Sequence, residues 1–351
     1  MENRSPTAKA SSLRWGILRQ AFIARPSLQS DHQSQIGISR KTSRGFNLIS
    51  CSLTDGHIED DSDSLSKIFN SDGTRDARVC YTLPMDGASK LFLIQRVESR
   101  VDLSDFEISN RYNVDNTGIV CQWPSEDVLA YFSLSHPDLF RSKRILELGS
   151  GYGLAGLVIA ASTDALEVVI SDGNPQVVDL VMPWLRLAAL ELEQWEEKTH
   201  FHTLWGALYE TPLLDIQRNI NANSGAFGNT KVKSMTLHWN QEEITNISNT
   251  FDVIVASDCT FFKEFHKGLV RTVKSLLKPS QASEAIFFSP KRGNSLDKFL
   301  EEIKEIGLHF SITEKYNAEV WIRHQRFLNG DDSWPNYEKD HCYPLLLRIT
   351  L

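Results

Sequence analysis

Residues 145–156, reading ILELGSGYGLAG, constrain the fold more than any other stretch. They set a carboxylate and four glycines at what reads as one strand-to-helix turn. Ile145 and Leu146 begin a buried parallel strand, and residues 154–161 read as the helix that follows. Gly149, Gly151 and Gly153 let the backbone turn sharply and approach a ligand without side-chain collision. Gly151-x-Gly153-x-x-Gly156 also fits the dinucleotide fingerprint, so the glycines alone leave a NAD-linked dehydrogenase and a methyltransferase both open. Glu147 favours the methyltransferase, because a carboxylate at the strand tip repels a diphosphate and attracts the cationic methionine part of S-adenosylmethionine.

The rest of the chain supplies a sheet around that turn. Strands are expected at 144–148, 167–171, 232–238, 251–257, 284–289, 308–313 and 343–350, with helices at 260–277 and 295–306 between the later ones. Seven strands with intervening helices predict an α/β fold, a Rossmann-like doubly wound sheet with helices on both faces. Ahead of it, 90–95 reads as a strand, and Pro124-Ser125-Glu126-Asp127 opens a helix with Ser125 as N-cap and two carboxylates facing the dipole. The crossover from Asp172 to Lys231 takes about sixty residues, where a strand-helix-strand unit needs about a dozen plus short loops.

A chain of 351 residues with 41% hydrophobic content is long enough for one large domain or two small ones. Residues 1–63 read as a basic leader followed by an acidic linker, largely disordered. Residues 80–135 read as N-terminal strands and a helix packing on the core, and 136–351 as the main domain. The leader is rich in Ser and Arg and poor in acids, which leaves an organelle transit peptide and a plain disordered leader open; the expected location is cytoplasm and nucleus. No apolar run approaches the roughly 20 residues of a membrane span, so none is expected. Cys51, Cys80, Cys121, Cys259 and Cys342 lie far apart with no CxxC pair, which argues against a structural metal and a disulfide scaffold. A net charge of -8 argues against nucleic acid as the main partner. A monomer is expected.

Three strand ends carry the remaining chemistry. Asp172, closing the second strand, stands at the spacing from Glu147 at which an acid accepts hydrogen bonds from ribose hydroxyls; it equally fits a turn before Gly173-Asn174. Trp239, after the third strand, fits either adenine stacking or ordinary core packing. Asp258 ends the fourth strand, where an open parallel sheet places its ligand. Methyl transfer requires mainly that a neutral nucleophile be aligned and water excluded. If the acceptor is a lysine amine, Asp258 guides the ammonium in and orients the amine, with Phe261 walling the alkyl stem. The Asn/Asp-Pro-Pro-Tyr/Phe segment that grips planar amides is absent; Asp258-Cys-Thr-Phe261 stands there instead and favours an aliphatic amine.

Gly118-Ile-Val-Cys-Gln-Trp123-Pro124, ahead of the glycine turn, resembles the Gly-x-x-x-x-Trp-Pro segment of family 16 of the seven-strand methyltransferases. Residues 44–50, 115–132, 170–174, 256–262, 289–296 and 341–347 extend the likeness over nearly the whole chain. The resemblance implies S-adenosylmethionine-dependent methylation of a protein lysine, with calmodulin as acceptor and the trimethyl state as product. It further implies cofactor contacts from Trp123, from the turn of Glu147, Gly149 and Gly151, and from Asp172, Trp239 and Ser257; Gly153 joins the cofactor turn, and Asp258 and Phe261 the catalytic pair, on the residue reading above. The chain departs from the pattern at about 180–215, which reads as an insertion splitting one helix. Extra sequence admitted by a transcript or gene model and a genuine surface excursion are both open, and with them a catalytically weak form that only binds calmodulin or another acidic protein. Because calmodulin is acidic, a local basic surface is needed; residues 263–304 supply it, with Lys291 and Arg292 on the ligand side of the sheet.

Overall fold

The computed structural model describes residues 45–54, 76–85, 89–96, 123–174, 215–239 and 247–351. Its centre is a seven-stranded sheet ordered β6-β5-β4-β7-β8-β10-β9. The strands are β4 (Arg144–Leu148), β5 (Glu167–Asp172), β6 (Lys231–Thr236), β7 (Val253–Ser257), β8 (Glu284–Ser289), β9 (His309–Thr313) and β10 (Leu345–Thr350). Neighbours from β6 through β8 are parallel, and β10 runs antiparallel to both β8 and β9. The middle strands are continuous apolar runs, Ile145-Leu146, Val168-Val169-Ile170, Val253 to Ala256 and Ala285 to Phe288, all buried. Such runs belong to strands covered on both faces.

Two sets of helices do the covering. α1 (Pro124–Ser135) packs on α2 (Leu154–Ser162) and reaches β7 and β8, while α4 (His266–Leu276) packs on α5 (Ser295–Glu305), which reaches β9. α3 (Asp215–Ala222) lies against β6; α6 (Ala318–Leu328) and the short α7 (Lys339–Cys342) precede β10. The expected Rossmann-like class holds. Residues 175–214, which contain most of the expected insertion, lie outside the described residues.

A smaller antiparallel sheet, β1 (Ser50–Leu53), β2 (Asp76–Thr82) and β3 (Lys90–Arg96), forms the extension. Its join to the main domain is made by asparagines. Asn219 accepts from the Ile94 N–H at 2.7 Å and donates to the Ile94 carbonyl at 3.2 Å; Asn223 does the same at Phe92, at 2.8 and 2.6 Å. Two residues of an extended strand advance about 6.8 Å and four of a helix about 6 Å. Amides one helical turn apart can therefore stand in for a neighbouring strand. Asn219 also donates to the Tyr152 carbonyl at 3.1 Å, linking the extension to the glycine turn.

Residues 45–54 fall in the stretch expected to be leader and linker, yet they are packed. Phe46 meets Phe327, Trp334 and Tyr343 at ring-centroid distances of 5.7, 5.6 and 6.3 Å. The Leu48 N–H donates to buried Asp127 at 2.9 Å, and Arg323 donates to the carbonyls of Phe46 and Asn47. Burial pushes the Asp127 carboxyl up to about 6 despite those amides and Arg323. A basic and polar context hid three apolar side chains, Phe46, Leu48 and Ile49, whose burial fixes this segment.

Two helix starts differ from expectation. Ser125 is not the N-cap: the cap is Trp123, with Pro124 in the first turn, because proline's missing N–H and fixed φ suit that place. The helix expected from Thr260 begins only at His266, after a tight turn at Lys263–Phe265. The intervening loop is pinned instead: His266 Nε2 meets the Thr260 carbonyl at 2.8 Å, and the Ser295 hydroxyl donates to the Thr260 and Phe261 carbonyls at 2.6 and 2.8 Å.

Candidate active site

The glycine turn leaves β4 at the carboxyl edge of the sheet. Gly149 has φ +59° and a neighbourhood with no room for a side chain: a Cβ there would lie 2.8 Å from Cys259 Sγ and 3.2 Å from Trp239 Cζ2. Gly153, at φ +82°, starts α2, and its Cβ would come within 2.9 Å of Ile170 Cγ2. Trp239 is thus brought beside the turn, held edge-on to Phe265 at 6.0 Å, rather than left in a distant core.

Glu147 does not point out of the turn. It is 2% exposed, and its Oε2 accepts from the Gly156 N–H in the first turn of α2 at 3.0 Å. Burial drives its carboxyl well above the ordinary range, and the nearby charges of Glu126 and Asp172 push the same way. Asp172 ends β5 and uses both oxygens locally, accepting from Gly151 N–H at 3.0 Å and Asn174 N–H at 2.8 Å. The turn role read from its sequence is therefore present. A carboxylate oxygen has two lone pairs, so these bonds leave acceptor capacity for ribose hydroxyls.

Asp258 follows β7 in a left-handed conformation, φ +57°, with its side chain 4% exposed. Arg292, from the loop between β8 and α5, meets it at 2.7 Å with a side chain only 6% exposed. The Arg292 guanidinium lies 4.4 Å from the centroid of the Trp123 ring and 5.0 Å from that of Phe261. Trp123 and Phe261 are themselves 6.3 Å apart. Burial raises the Asp258 carboxyl above its usual range, and Arg292 and Ser125 offset part of that. Ser257 is the last residue of β7, one position before this cluster.

All ten residues singled out from the sequence thus lie at the carboxyl edge of β4, β5, β6 and β7 or at the start of α1. Sequence reasoning missed the pairing of Arg292 with Asp258, the Ser125 approach to that carboxylate, and Cys259 against Gly149. Glu126 was read only as a helix-dipole charge. Among the described residues no group of three His, Cys, Asp or Glu could hold a metal, and no helix is long and apolar enough to cross a membrane.

The residues fit S-adenosylmethionine on grounds of position and charge. The glycine turn stands at the carboxyl edge of the parallel strands, where such a sheet places its ligand, and the charges of Glu126 and Asp172 add to the cost of ionising Glu147, which a cation set among them relieves. Sheet order, the lone antiparallel β10 and this carboxylate-lined turn define a Rossmann-like S-adenosylmethionine-dependent methyltransferase. The chain belongs to the lysine methyltransferase family, whose profile matches residues 109–212 and 209–306. It is 56% identical over 346 residues, 98% of each chain, to a calmodulin-lysine N-methyltransferase of Arabidopsis thaliana. It is also 27% identical to protein-lysine N-methyltransferase EEF2KMT of Mus musculus, over 58% of this chain and 54% of that one. A protein N-terminal and lysine N-methyltransferase, efm7 of Neurospora crassa, is 25% identical over 51% of this chain and 62% of its own length.

Proposed function

We propose that the chain methylates a lysine of calmodulin, carrying it to the trimethyl state. The observation that carries this reading is the buried Asp258–Arg292 pair, with Trp123 and Phe261 against its guanidinium, one residue past the end of β7, in a chain 56% identical to a calmodulin-lysine methyltransferase. When bound, S-adenosylmethionine supplies a methyl whose bond to the sulfonium sulfur breaks as the amine nitrogen bonds to it. Glu147 and Asp172 would hold the cofactor's cationic and ribose parts, and Trp239 would cover its base. Asp258 accepts a hydrogen bond from the lysine amine and aligns its lone pair. Phe261 and Trp123 exclude water and face the methylated ammonium with aromatic rings, which favour a cation. Nothing among the described residues supports the weak binding-only form.

The test is incubation of the full chain with labelled S-adenosylmethionine and unmethylated calmodulin, with the product mapped by mass spectrometry. One lysine gaining up to three methyl groups is expected. Asp258→Asn is expected to lower kcat by about 100-fold with cofactor affinity kept, a loss of the size attached to one positioned polar group. Tight cofactor binding with no label on calmodulin would reject the acceptor.

Acceptor docking has a candidate surface next to this site. Lys263, Lys267 and Lys291 are exposed, and Lys263 is tied to the loop that follows β8 by a 2.5 Å bond to Asn294. Reversing Lys267 and Lys291 to glutamate is expected to raise KM for calmodulin by about tenfold at low salt with kcat unchanged. The gap should narrow as salt rises. Steady-state kinetics at two ionic strengths read this out, and a salt-independent KM would discard the surface.

A further inference from the structure

Asp258 poses a chemical difficulty. A buried carboxylate standing alone next to an incoming lysine stabilises the ammonium, and an ammonium has no lone pair with which to attack a methyl group. The side chain that resolves this is Arg292. Its guanidinium is held by the ion pair to Asp258 at 2.7 Å, by the rings of Trp123 and Phe261, and by a 3.3 Å bond from Nε to the His341 carbonyl, while its backbone N–H donates to the Asp340 carbonyl at 2.7 Å. Its backbone is left-handed, φ +43°. An arginine that merely decorated the surface would need none of this.

We propose that Arg292 is a positioning residue for the acceptor amine: its guanidinium aims the Asp258 carboxylate and, as a fixed positive charge beside it, holds the bound lysine in the neutral, nucleophilic form. The inference rests on the reading of Asp258 as the group that receives the lysine. Two effects act together. Arg292 offsets part of the burial that raises the Asp258 carboxyl above its usual range, which favours the ionised, accepting form. The guanidinium also cancels the field by which Asp258 alone would hold the lysine proton, and that proton leaves to solvent before attack. Arginine suits both tasks because it does not itself deprotonate and its planar fork lies flat on aromatic faces. The other groups facing the pair are Ser125 at the start of α1, which favours ionised Asp258, and Cys342 of α7, whose thiol feels both charges. Glu126, one residue past Ser125, acts on Glu147.

The experiment uses the full chain with calmodulin as acceptor. Arg292→Met is expected to move the acid limb of the kcat profile to higher pH by about one unit, with cofactor Kd changed less than about twofold. Arg292→Lys, which keeps the charge and loses the fork, is expected to keep the limb near its original position while lowering kcat. Asp258→Asn combined with Arg292→Met is expected to be no slower than Asp258→Asn alone. A readout independent of turnover is difference infrared spectroscopy: the buried carboxyl band assigned by its loss in Asp258→Asn should titrate at higher pH in Arg292→Met than in the wild type. An unmoved acid limb in Arg292→Met with a lowered Tm would reduce Arg292 to a strut and overturn the inference. If the Met variant fails to fold, a limb shifted upward in Arg292→Lys overturns it equally. Full turnover by Asp258→Asn would instead remove the reading of Asp258 on which it rests.

Discussion

Replacing Gly156 with alanine is expected to weaken S-adenosylmethionine binding by at least about 100-fold and to destabilise the fold by about 3–5 kcal/mol. The reason is steric and electrostatic at once. An added Cβ would lie 2.5 Å from Glu147 Oε2 and 2.7 Å from Ile170 Cγ1. Ile170 is fixed in β5 and cannot retreat, since it is fully buried and its strand is paired on both sides. The carboxylate must therefore move, which breaks its 3.0 Å bond from the Gly156 N–H and disturbs the start of α2 beside the proposed cofactor site. Overpacking costs about 1–3 kcal/mol and a lost charged hydrogen bond about 1.5–3. In a domain this size that is a fall in Tm on the order of 10 °C. Gly225→Ala provides the contrast, because nothing lies within 4 Å of a Cβ there; its stability should stay within about 0.5 kcal/mol. Calorimetric titration and thermal melts of the two variants measure both effects, and a Gly156→Ala protein that binds the cofactor normally would contradict the account of the turn.

The sheet was legible because buried parallel strands leave continuous apolar runs, and β4, β5, β7 and β8 are such runs. Their ends were less so. β6 was expected to extend to His238 but stops at Thr236, because its partner β5 ends at Asp172, whose carbonyl accepts the last rung from the Leu237 N–H. The carboxylates at strand ends were legible because strand order places them at one edge. What could not be read was which of them would be paired. Arg292 lies 34 positions beyond Asp258, and the two meet at 2.7 Å across separate loops in which each has a left-handed backbone. Nor was the docking of residues 45–54 legible, because Phe46 finds its aromatic partners in α6 and the loop after it, nearly three hundred residues away. The helix Ala318–Leu328 itself was missed; its side-chain N-cap, Asn317, is bonded to the N–H groups of Glu319 and Val320 and was visible in the sequence.

Glu147→Gln is expected to act in opposite directions on stability and function, raising the Tm of the cofactor-free protein while weakening cofactor binding by about 10–100-fold. The folded protein holds the Glu147 carboxyl well above its unfolded value because burial penalises the charge. A group raised in this way contributes stability that is fully present below the unfolded pKa of about 4.5 and is lost as pH rises through the folded value. At neutral pH, above the unfolded value, the buried carboxyl is therefore a cost to the fold. Glutamine removes the charge and keeps an oxygen for the Gly156 N–H; a gain of about 1 kcal/mol corresponds to a rise of about 2–4 °C. The cofactor sees the reverse. A cation binds the ionised carboxylate, so wild-type affinity should increase as pH rises through the Glu147 pKa, with a proton released on binding. The variant should show a weaker affinity that is flat over the same range. Titration calorimetry in buffers of different ionisation enthalpy counts the released proton directly, and equal cofactor affinity in the two proteins would show that Glu147 serves the turn and not the ligand. On the role proposed for Glu147, the residue that would make the turn selective for a cation is one that the empty fold would be more stable without.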